Sequence, residues 1–409
     1  MKYSQFNERA YARSASPDGP VPVEAMGRIY PDFGHRFRQQ NKPAAGTPRV
    51  APLDLGIGTY FTCAEEIVEA GVAALRQGHT RYETVDRLKD AICAKFLDEQ
   101  NIALTNENVL LLGAARPGMA LTLLAGIDPG DTIVIPDPDY IGLTHMACAV
   151  GANVVRAPMT RADDGRLSLD LSALDRLADS GFSALILTNP GNPTGNVLSR
   201  EDLRAISGIA DKAGAFVMVN EIYDKLMHGG QFTSYAAVGD LDTSIVVGGT
   251  SKSYEMTGFG IGWLISSPAN VARMEDLAFL THQSKPDAVS QYAALAALSA
   301  PVRNASPARS VEVLKANARR TAEALDGYEG CRCPLPIAGQ FAFPYVGGDD
   351  LELARFLLDE VALQVVPGSV WGSQGAGHLR LALANSPDHQ AEGLSRLREG
   401  IARFRRRQP

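Results

Sequence analysis

Residues 183–195 read SALILTNPGNPTG, and this stretch decides the fold. Its first half, SALILT, is a short apolar run of the kind that forms a strand buried on both faces of a sheet. Its second half combines Asn, Pro and Gly, which favour turns. In an open parallel sheet the residues just after each strand lie at the edge where ligands bind. The stretch therefore predicts a buried strand followed by a candidate binding loop.

Runs of the same kind recur before and after this stretch and alternate with amphipathic helical segments. The strand candidates are NVLLLG, TIVIPD, NVVRAPM, AFVMVNE and SIVVGG, and two of the helical segments are EEIVEAGVAALRQG and LKDAICAKFLDEQ. A repeated strand–helix order is typical of a mostly parallel sheet covered by helices. The sequence therefore predicts an α/β fold with a large lobe of this architecture.

The pattern changes beyond about Asp287, where helical runs dominate and only the short strands FAFPYV, LQVVPG and LRLALA interrupt them. This favours a smaller α+β lobe, joined by the N-terminal segment. We predict an N-terminal arm and part of the small lobe over residues 1–63, the large lobe over 64–286 and the small lobe over 287–409.

Composition excludes several classes of function. The 409 residues carry a formal net charge of -7, which gives no positive field for nucleic acid or an anionic membrane surface. We find no apolar stretch long enough to span a membrane and no signal-peptide core. The five cysteines are scattered and odd in number, which favours reduced thiols, and no His or Cys spacing suits a metal. We expect a soluble cytosolic protein without a metal site.

Three predicted strands end in polar residues that could carry chemistry. SALILT leads into Asn189–Gly195, AFVMV leads into Asn220-Glu-Ile-Tyr223, and SIVV leads into GGTSKSYEMTGFGIG, which contains Lys252. An Asn-Pro-Gly cluster alone is usually only a turn, and a lone lysine is usually a solvated surface residue. The whole run NPGNPTG is more specific, because it matches the N-P-x-N-P-T-G signature of one enzyme family.

With these motifs the chain resembles the fold-type-I aminotransferases of class I and II, in the aspartate aminotransferase-like superfamily, from roughly Leu55 to Leu383. The resemblance implies an enzyme that uses pyridoxal 5′-phosphate (PLP) to transform an amino acid. It implies that Lys252 forms a Schiff base with the cofactor and then moves the α-proton of the substrate. Asn192 and Tyr223 match the two residues that hydrogen-bond the phenolic oxygen of the cofactor.

The resemblance also assigns residues around the rest of the cofactor. Tyr140 falls where the family places an aromatic ring against the pyridine, although a tyrosine at a strand end can equally be a core residue. The helix start after NVLLL suits a phosphate, since its free backbone amides favour anions. The residues implied at the phosphate are Ala114, Ala115, Arg116 and Ser251.

Three further matches concern the substrate and the partner subunit. Arg380 corresponds to the arginine that grips the α-carboxylate as a two-pronged donor, although a partnered structural arginine is the alternative. Gly58 corresponds to a small residue that lines the substrate pocket. Tyr82 resembles the tyrosine that reaches the neighbouring subunit's cofactor phosphate, which implies a homodimer with shared sites.

The chain departs from the family pattern at three positions. Asn220 stands where the family has an aspartate that keeps a proton on the pyridine nitrogen, and a neutral amide cannot do so by charge. Gly260 stands in place of a phosphate-binding arginine, and Gly249 replaces a residue that is commonly serine. Arg116 could supply the missing positive charge or could point to solvent.

These departures leave three functions open. The simplest is transamination of an amino acid. A second is PLP-dependent elimination, replacement, decarboxylation or oxidative deamination, in which a weaker electron sink is sufficient. A third is a catalytically inactive PLP-binding or regulatory protein, against which stands the presence of Lys252, Asn192, Tyr223 and Arg380.

Overall fold

The computed structural model of the chain describes residues 53–56, 60–280 and 285–407. Most of the N-terminal arm predicted for residues 1–63, and with it Gly58, lies outside this range. The helices are α1 (Glu65–Arg76), α2 (Asp86–Gln100), α3 (Ala115–Gly126), α4 (Ile141–Ala149), α5 (Leu171–Ala178), α6 (Arg200–Ala213), α7 (Pro268–Leu280), α8 (Ala288–Ala297), α9 (Ala300–Leu325), α10 (Asp350–Val361) and α11 (Pro387–Arg405).

The strands form one large sheet and two small ones. They are β1 (Leu53–Asp54), β2 (Val109–Leu112), β3 (Thr132–Asp137), β4 (Asn153–Arg161), β5 (Leu167–Leu169), β6 (Ala184–Thr188), β7 (Phe216–Asn220), β8 (Ser244–Gly249), β9 (Gly262–Ile265), β10 (Phe341–Ala342), β11 (Leu363–Gln364), β12 (Val366–Pro367) and β13 (Leu379–Ala382). The large sheet has the order β2-β9-β8-β7-β6-β3-β4-β5.

The large sheet is mostly parallel, as the sequence predicts. The pairs β3–β4, β3–β6, β6–β7 and β7–β8 run parallel, so their carboxyl ends share one edge. Strand β9 is not among the strands predicted from apolar runs, and it lies antiparallel between β2 and β8. Strand β5 adds an antiparallel edge next to β4.

Local sequence signals set the bounds of the covering helices. Helix α6 shows this best. It begins with a capping box, in which the Ser199 hydroxyl accepts from the Asp202 amide and the Asp202 carboxylate accepts from the Ser199 amide. It ends at Gly214, which adopts a left-handed conformation with φ 68°. These caps fix how far the helix extends from the end of the candidate binding loop.

The core of the large sheet is apolar, and helix α8 contributes to it. The alanines Ala293, Ala294 and Ala297 are fully buried in the same cluster as Val217, Val246 and Ile265. Helix α8 packs against α1, which covers the same core. The division of the chain at residues 63 and 286 stays a prediction.

The C-terminal part carries the three-stranded antiparallel sheet β10-β13-β12. Strand β1, from the N-terminal segment, pairs with β11. The Asp137 carboxylate at the end of β3 binds the segment that precedes β13. It accepts from Ser373 N at 3.1 Å, Ser373 Oγ at 2.6 Å and Gln374 N at 3.1 Å. This contact ties the end of the large sheet to the strand that carries Arg380.

No helix within the described residues combines the length and the apolar composition that a membrane-spanning segment requires.

Gly262 allows strand β9 to approach the start of helix α3. A Cβ atom at this position would lie 2.2 Å from the carbonyl carbon of Ala114 and 2.4 Å from the Ala115 nitrogen. These contacts are with backbone, which cannot move aside as a flexible side chain can. The glycine therefore sets the distance between the sheet and the helix start.

We predict that Gly262→Ala destabilises the fold by about 1–3 kcal/mol, because it forces the sheet and helix α3 apart. Urea unfolding measures the effect. Gly208→Ala is the matched control: nothing lies within 4 Å of its added methyl group, and it sits inside helix α6. This control should be neutral or stabilising by up to about 1 kcal/mol. Equal stability of the two variants would contradict the prediction.

Candidate active site

The loops that follow β2, β3, β6, β7 and β8 bring most of the predicted site residues to one edge of the large sheet. The register explains why. Asn220, the last residue of β7, lies opposite Thr188 of β6 and Val247 of β8. The strands thus end side by side, and the turns that begin at Asn189, Glu221 and Thr250 are neighbours. Parallel strands produce this arrangement because their carboxyl ends point the same way.

A chain of hydrogen bonds connects three of the predicted residues. Asn192 Nδ2 donates to the Tyr223 hydroxyl at 3.3 Å, and Arg380 donates to Asn192 Oδ1, also at 3.3 Å. The second terminal nitrogen of Arg380 donates to the Gly56 carbonyl oxygen at 2.9 Å. All three side chains are buried. The amide of Asn192 therefore bridges the arginine of β13 and the tyrosine after β7.

Two aromatic rings enclose the Arg380 guanidinium. Its central carbon lies 4.0 Å from the centroid of the Phe341 ring and 4.3 Å from that of Trp371. Such cation–π contacts stabilise a cation in a desolvated place and fix the plane of its fork. Neither ring was predicted from the sequence as a site residue. Phe341 begins the predicted strand FAFPYV, but only the fold brings it and Trp371 together around Arg380.

Lys252 lies three residues beyond the end of β8, and it is partly buried. Burial lowers the pKa of its ammonium group, and the positive charges of Arg380 and Arg116 lower it further. The side chain is thus partly buried and lies in the positive field of two arginines. A lysine in such surroundings loses its proton more readily than a surface lysine.

Asn220 is buried, with 4 % of its surface exposed, and its Oδ1 atom has no hydrogen-bond partner among the described residues. The adjacent carboxyl group, Glu221, does not replace the missing aspartate. It is buried, it accepts from the Tyr235 amide at 2.6 Å, and burial raises its pKa to about 8. The end of β7 therefore offers an amide without a fixed negative charge beside it at neutral pH.

Helix α3 begins at the site with its backbone amides available. Ala114 precedes the helix in an extended conformation, and no side chain of the described residues caps the first turn. Such a helix start attracts anions, because its amide hydrogens and the helix dipole point at the same place. Arg116, in this first turn, donates to the Tyr140 hydroxyl at 2.8 Å. Its side chain is thus directed towards the site.

The turn that follows Lys252 has no room for a side chain at position 260. A Cβ atom on Gly260 would lie 2.6 Å from the Met256 carbonyl oxygen and 2.7 Å from Ser251 Oγ. Gly249 is similarly enclosed, with the Ile261 carbonyl oxygen 2.8 Å from a Cβ atom built there. At Gly249 and Gly260, the two glycines that depart from the family pattern, closely packed neighbouring atoms leave little space for a side chain.

Of the predicted residues that the structure describes, Tyr82 is not part of this cluster. Gly58 lies outside the described residues. The side chain of Tyr82 is 94 % exposed on the single chain.

The sequence signal that could have identified Phe341 and Trp371, the aromatic pair around Arg380, is weak, because an aromatic residue in a strand or turn is usually a core residue.

Comparison with known proteins agrees with this architecture. The family described as aminotransferase class I and II matches residues 51–397. A probable aspartate/prephenate aminotransferase of Aquifex aeolicus is 28 % identical over 355 residues, which cover 83 % of this chain and 88 % of that protein. The (5-formylfuran-3-yl)methyl phosphate transaminase of Methanocaldococcus jannaschii is 28 % identical, covering 86 % of this chain and 91 % of that protein.

Solved structures show the same fold. An alanine aminotransferase from Pyrococcus furiosus superposes with a TM-score of 0.83 at 25 % identity, covering 92 % of this chain and 97 % of that structure. The names of these relatives refer to different substrates, so they share a type of reaction rather than one amino acid. Since the family match spans most of the sequence, the chain belongs to the class I and II aminotransferases, which are PLP-dependent transferases.

Proposed function

We propose that this site transaminates an amino acid, with Lys252 as the residue that carries PLP and moves the α-proton. The observation that carries the proposal is the position of Lys252. Its pKa is lowered by burial and by Arg380 and Arg116, and the loop that holds it follows the strand beside Asn220. A basic amine in a protected cleft, next to a carboxylate-binding arginine, is what proton transfer at Cα requires.

The residues present fit the cofactor. Asn220 Oδ1 is a buried acceptor that lacks a partner among the described residues, and a protonated ring nitrogen can donate to it. The uncapped start of helix α3 suits a phosphate. The PLP of this family, when bound, withdraws electrons from the substrate's Cα and so acidifies its hydrogen. We therefore assign the ring nitrogen to Asn220 and the phosphate to Ala114, Ala115, Arg116 and Ser251.

Asn192 and Tyr223 are proposed to hold the phenolic oxygen of the cofactor. Each can donate a hydrogen bond, and the 3.3 Å contact between them keeps both groups directed to one place. Tyr140 is proposed to lie against the pyridine ring. The hydrogen bond from Arg116 to its hydroxyl fixes the tyrosine and leaves the remaining guanidinium donors for an anion. Arg116 then supplies a positive charge that Gly260 does not.

Arg380 is proposed to bind the substrate's α-carboxylate. The rings of Phe341 and Trp371 exclude water from the guanidinium and hold its fork in one plane. Its donors now contact Asn192 and Gly56, whose neutral oxygens are weaker acceptors than a carboxylate. Gly58 is proposed to line the same pocket.

We further propose a homodimer that shares its active sites. The support is the exposure of Tyr82, because a tyrosine that is 94 % exposed on the single chain can cover surface on a second copy. Its hydroxyl would then reach the partner's phosphate site.

A second candidate function follows from Asn220. Without a carboxylate, and with the pKa of Glu221 raised to about 8, the ring nitrogen would be held by a neutral amide. This weakens the electron sink and favours a specialised outcome such as elimination, replacement, decarboxylation or oxidative deamination.

We predict that PLP binds covalently to Lys252. Borohydride reduction of the PLP-loaded protein, followed by peptide mapping, should place the pyridoxyl group on this lysine. Lys252→Ala should lose the label and the visible absorbance, whereas Lys212→Ala, at an exposed surface lysine, should retain both. A label on another lysine would refute the assignment. Incubating the loaded protein with amino acids should yield pyridoxamine phosphate rather than ammonia, carbon dioxide or peroxide.

Arg380→Ala should weaken the binding of amino-acid substrates by about 2–5 kcal/mol, as expected when one partner of a buried charge pair is removed. Arg380→Lys keeps the charge but loses the fork, so it should recover only part of this loss. The dissociation constant of a non-reacting α-methyl amino acid measures the effect without turnover. Unchanged binding in both variants would show that the arginine is structural.

Asn220→Asp should increase half-transamination of simple amino acids, because a carboxylate would keep a proton on the ring nitrogen. We expect the rate of half-transamination to rise at least about tenfold, which is the effect of a free-energy change equal to one pKa unit. Stopped-flow absorbance measures the rate, and Asn153→Asp, at the amino end of β4, is the control. Unchanged products would support transamination, whereas a changed product ratio would favour the second candidate function.

A further inference from the structure

A group of paired charges surrounds the buried side chains of Lys95 and Arg303 and includes Asp224, which directly follows Tyr223. We call it the charge network; its members are Lys95, Asp98 and Glu99 of helix α2, Asp224 and Lys225 after β7, and Arg303 of helix α9. Lys95 stands at its centre, with its side chain 5 % exposed. Its Nζ atom lies 2.5 Å from Asp224 Oδ2 and 2.9 Å from Glu99 Oε2.

The charge network has as many positive as negative members, and ion pairs connect them. Lys225 Nζ lies 2.9 Å from Glu99 Oε1, and Arg303 lies 2.6 Å from Asp98 Oδ2. Burial alone would lower the pKa of Lys95, but the carboxylates of Asp224 and Glu99 more than offset burial and raise it. Lys95 is therefore a permanent cation, in contrast to Lys252.

Such a network is not explained by stability alone. Removing two charges from water costs several kcal/mol per ion, and apolar residues of similar size often stabilise a fold as well or better. Buried ionic groups are better suited to fixing one arrangement among several, because an unpaired charge makes every alternative arrangement costly. The contacts of Asp224 show which arrangement this network fixes.

The two carboxylate oxygens of Asp224 contact helix α2 and the segment that carries Lys252. Its Oδ2 atom binds Lys95, and its Oδ1 atom accepts from Ser253 Oγ at 3.1 Å. Ser253 is fully buried, and its hydroxyl also lies 3.4 Å from the Ile222 carbonyl oxygen. Asp224 directly follows Tyr223 in the chain, and Ser253 directly follows Lys252. One carboxylate thus joins the two segments that carry these residues.

We infer that Lys95, Asp224 and Ser253 form a positioning device that holds the Tyr223 hydroxyl and the Lys252 amine at a fixed separation. This inference rests on the proposed function, in which both groups act on the same cofactor. Lys95 anchors Asp224 to the rigid helix α2, and Asp224 transmits that anchoring to the lysine segment through Ser253. None of the three residues touches the reacting atoms.

The device acts through geometry rather than through charge. Lys252 owes its lowered pKa to burial, Arg380 and Arg116, and not to the network. Loosening the network should therefore displace the Tyr223 hydroxyl from the phenolic oxygen that it stabilises. An oxygen that loses a donor holds its proton more tightly, so the pH midpoint of the visible absorbance should rise.

The test uses the full-length, PLP-loaded protein and three variants: Asp224→Asn, Ser253→Ala and Lys95→Met. Each should raise the pH midpoint of the visible absorbance and lower kcat between about tenfold and a hundredfold, as for a displacement of about 1 Å at a reacting group. KM for the amino acid should change less than about twofold, because Arg380 is untouched. Lys212→Met, which breaks exposed ion pairs with Asp175 and Asp179, is the control and should change nothing.

Ser253→Ala protects the test against misfolding, since it removes an uncharged side chain and leaves Asp224 paired with Lys95. The double variant Lys95→Met with Asp224→Asn serves the same purpose for the charged pair. Thermal unfolding of each variant confirms that it is folded. A normal midpoint and a normal kcat in folded Ser253→Ala and in the folded double variant would overturn the inference.

A double-mutant cycle with Tyr223→Phe separates positioning from general damage. If Asp224 acts through Tyr223, Asp224→Asn should shift the midpoint much less in the Tyr223→Phe background than in the native one. Full additivity of the two shifts would overturn the inference. An unshifted midpoint in Tyr223→Phe alone would refute the proposed role of Tyr223 and the positioning device with it. A shift in Tyr223→Phe without one in Asp224→Asn would overturn the positioning device only.

Discussion

The parallel register of β6, β7 and β8 is the constraint on which the rest of the site depends. It places Thr188, Asn220 and Val247 side by side, so that three separate segments of the chain turn away from the sheet at one level. Each segment contributes one residue of the proposed site: Asn192, Tyr223 or Lys252. A shift of this register would separate these groups by several ångströms, since each residue of a strand advances the chain by about 3.3 Å.

The buried Lys95 and the partly buried Lys252 have pKa values that are shifted in opposite directions. Lys95 faces Asp224 and Glu99, which raise its pKa and keep it charged. Lys252 faces Arg380 and Arg116, which add to the effect of burial and lower its pKa. The neighbouring carboxylates keep Lys95 charged despite its burial, whereas burial and the two arginines together favour the neutral form of Lys252.

The α/β fold and the motif-bearing loops could be predicted from the sequence because strand periodicity and turn residues are local signals. Lys252, Asn192 and Tyr223 all follow strands that their own apolar runs reveal. The enclosure of Arg380 by Phe341 and Trp371 could not be predicted, because those contacts depend on how β10, β13 and the turn before β13 pack. Nor could the crowding at Gly260, since the Met256 carbonyl and Ser251 hydroxyl meet there only in the folded turn. The sequence shows which side chain is missing, and the structure shows why none fits.

The bridging position of Asn192 has a thermodynamic consequence. One amide accepts from Arg380 and donates to Tyr223, so the two side chains are not independent of each other. Suppose that an anion draws the Arg380 guanidinium away from Asn192 and thereby changes the free energy of the hydrogen bond to the Tyr223 hydroxyl. A change at that hydroxyl must then alter the affinity of the guanidinium for the anion by the same free energy. Through this single amide, the Arg380 guanidinium and the Tyr223 hydroxyl would then share one linked equilibrium.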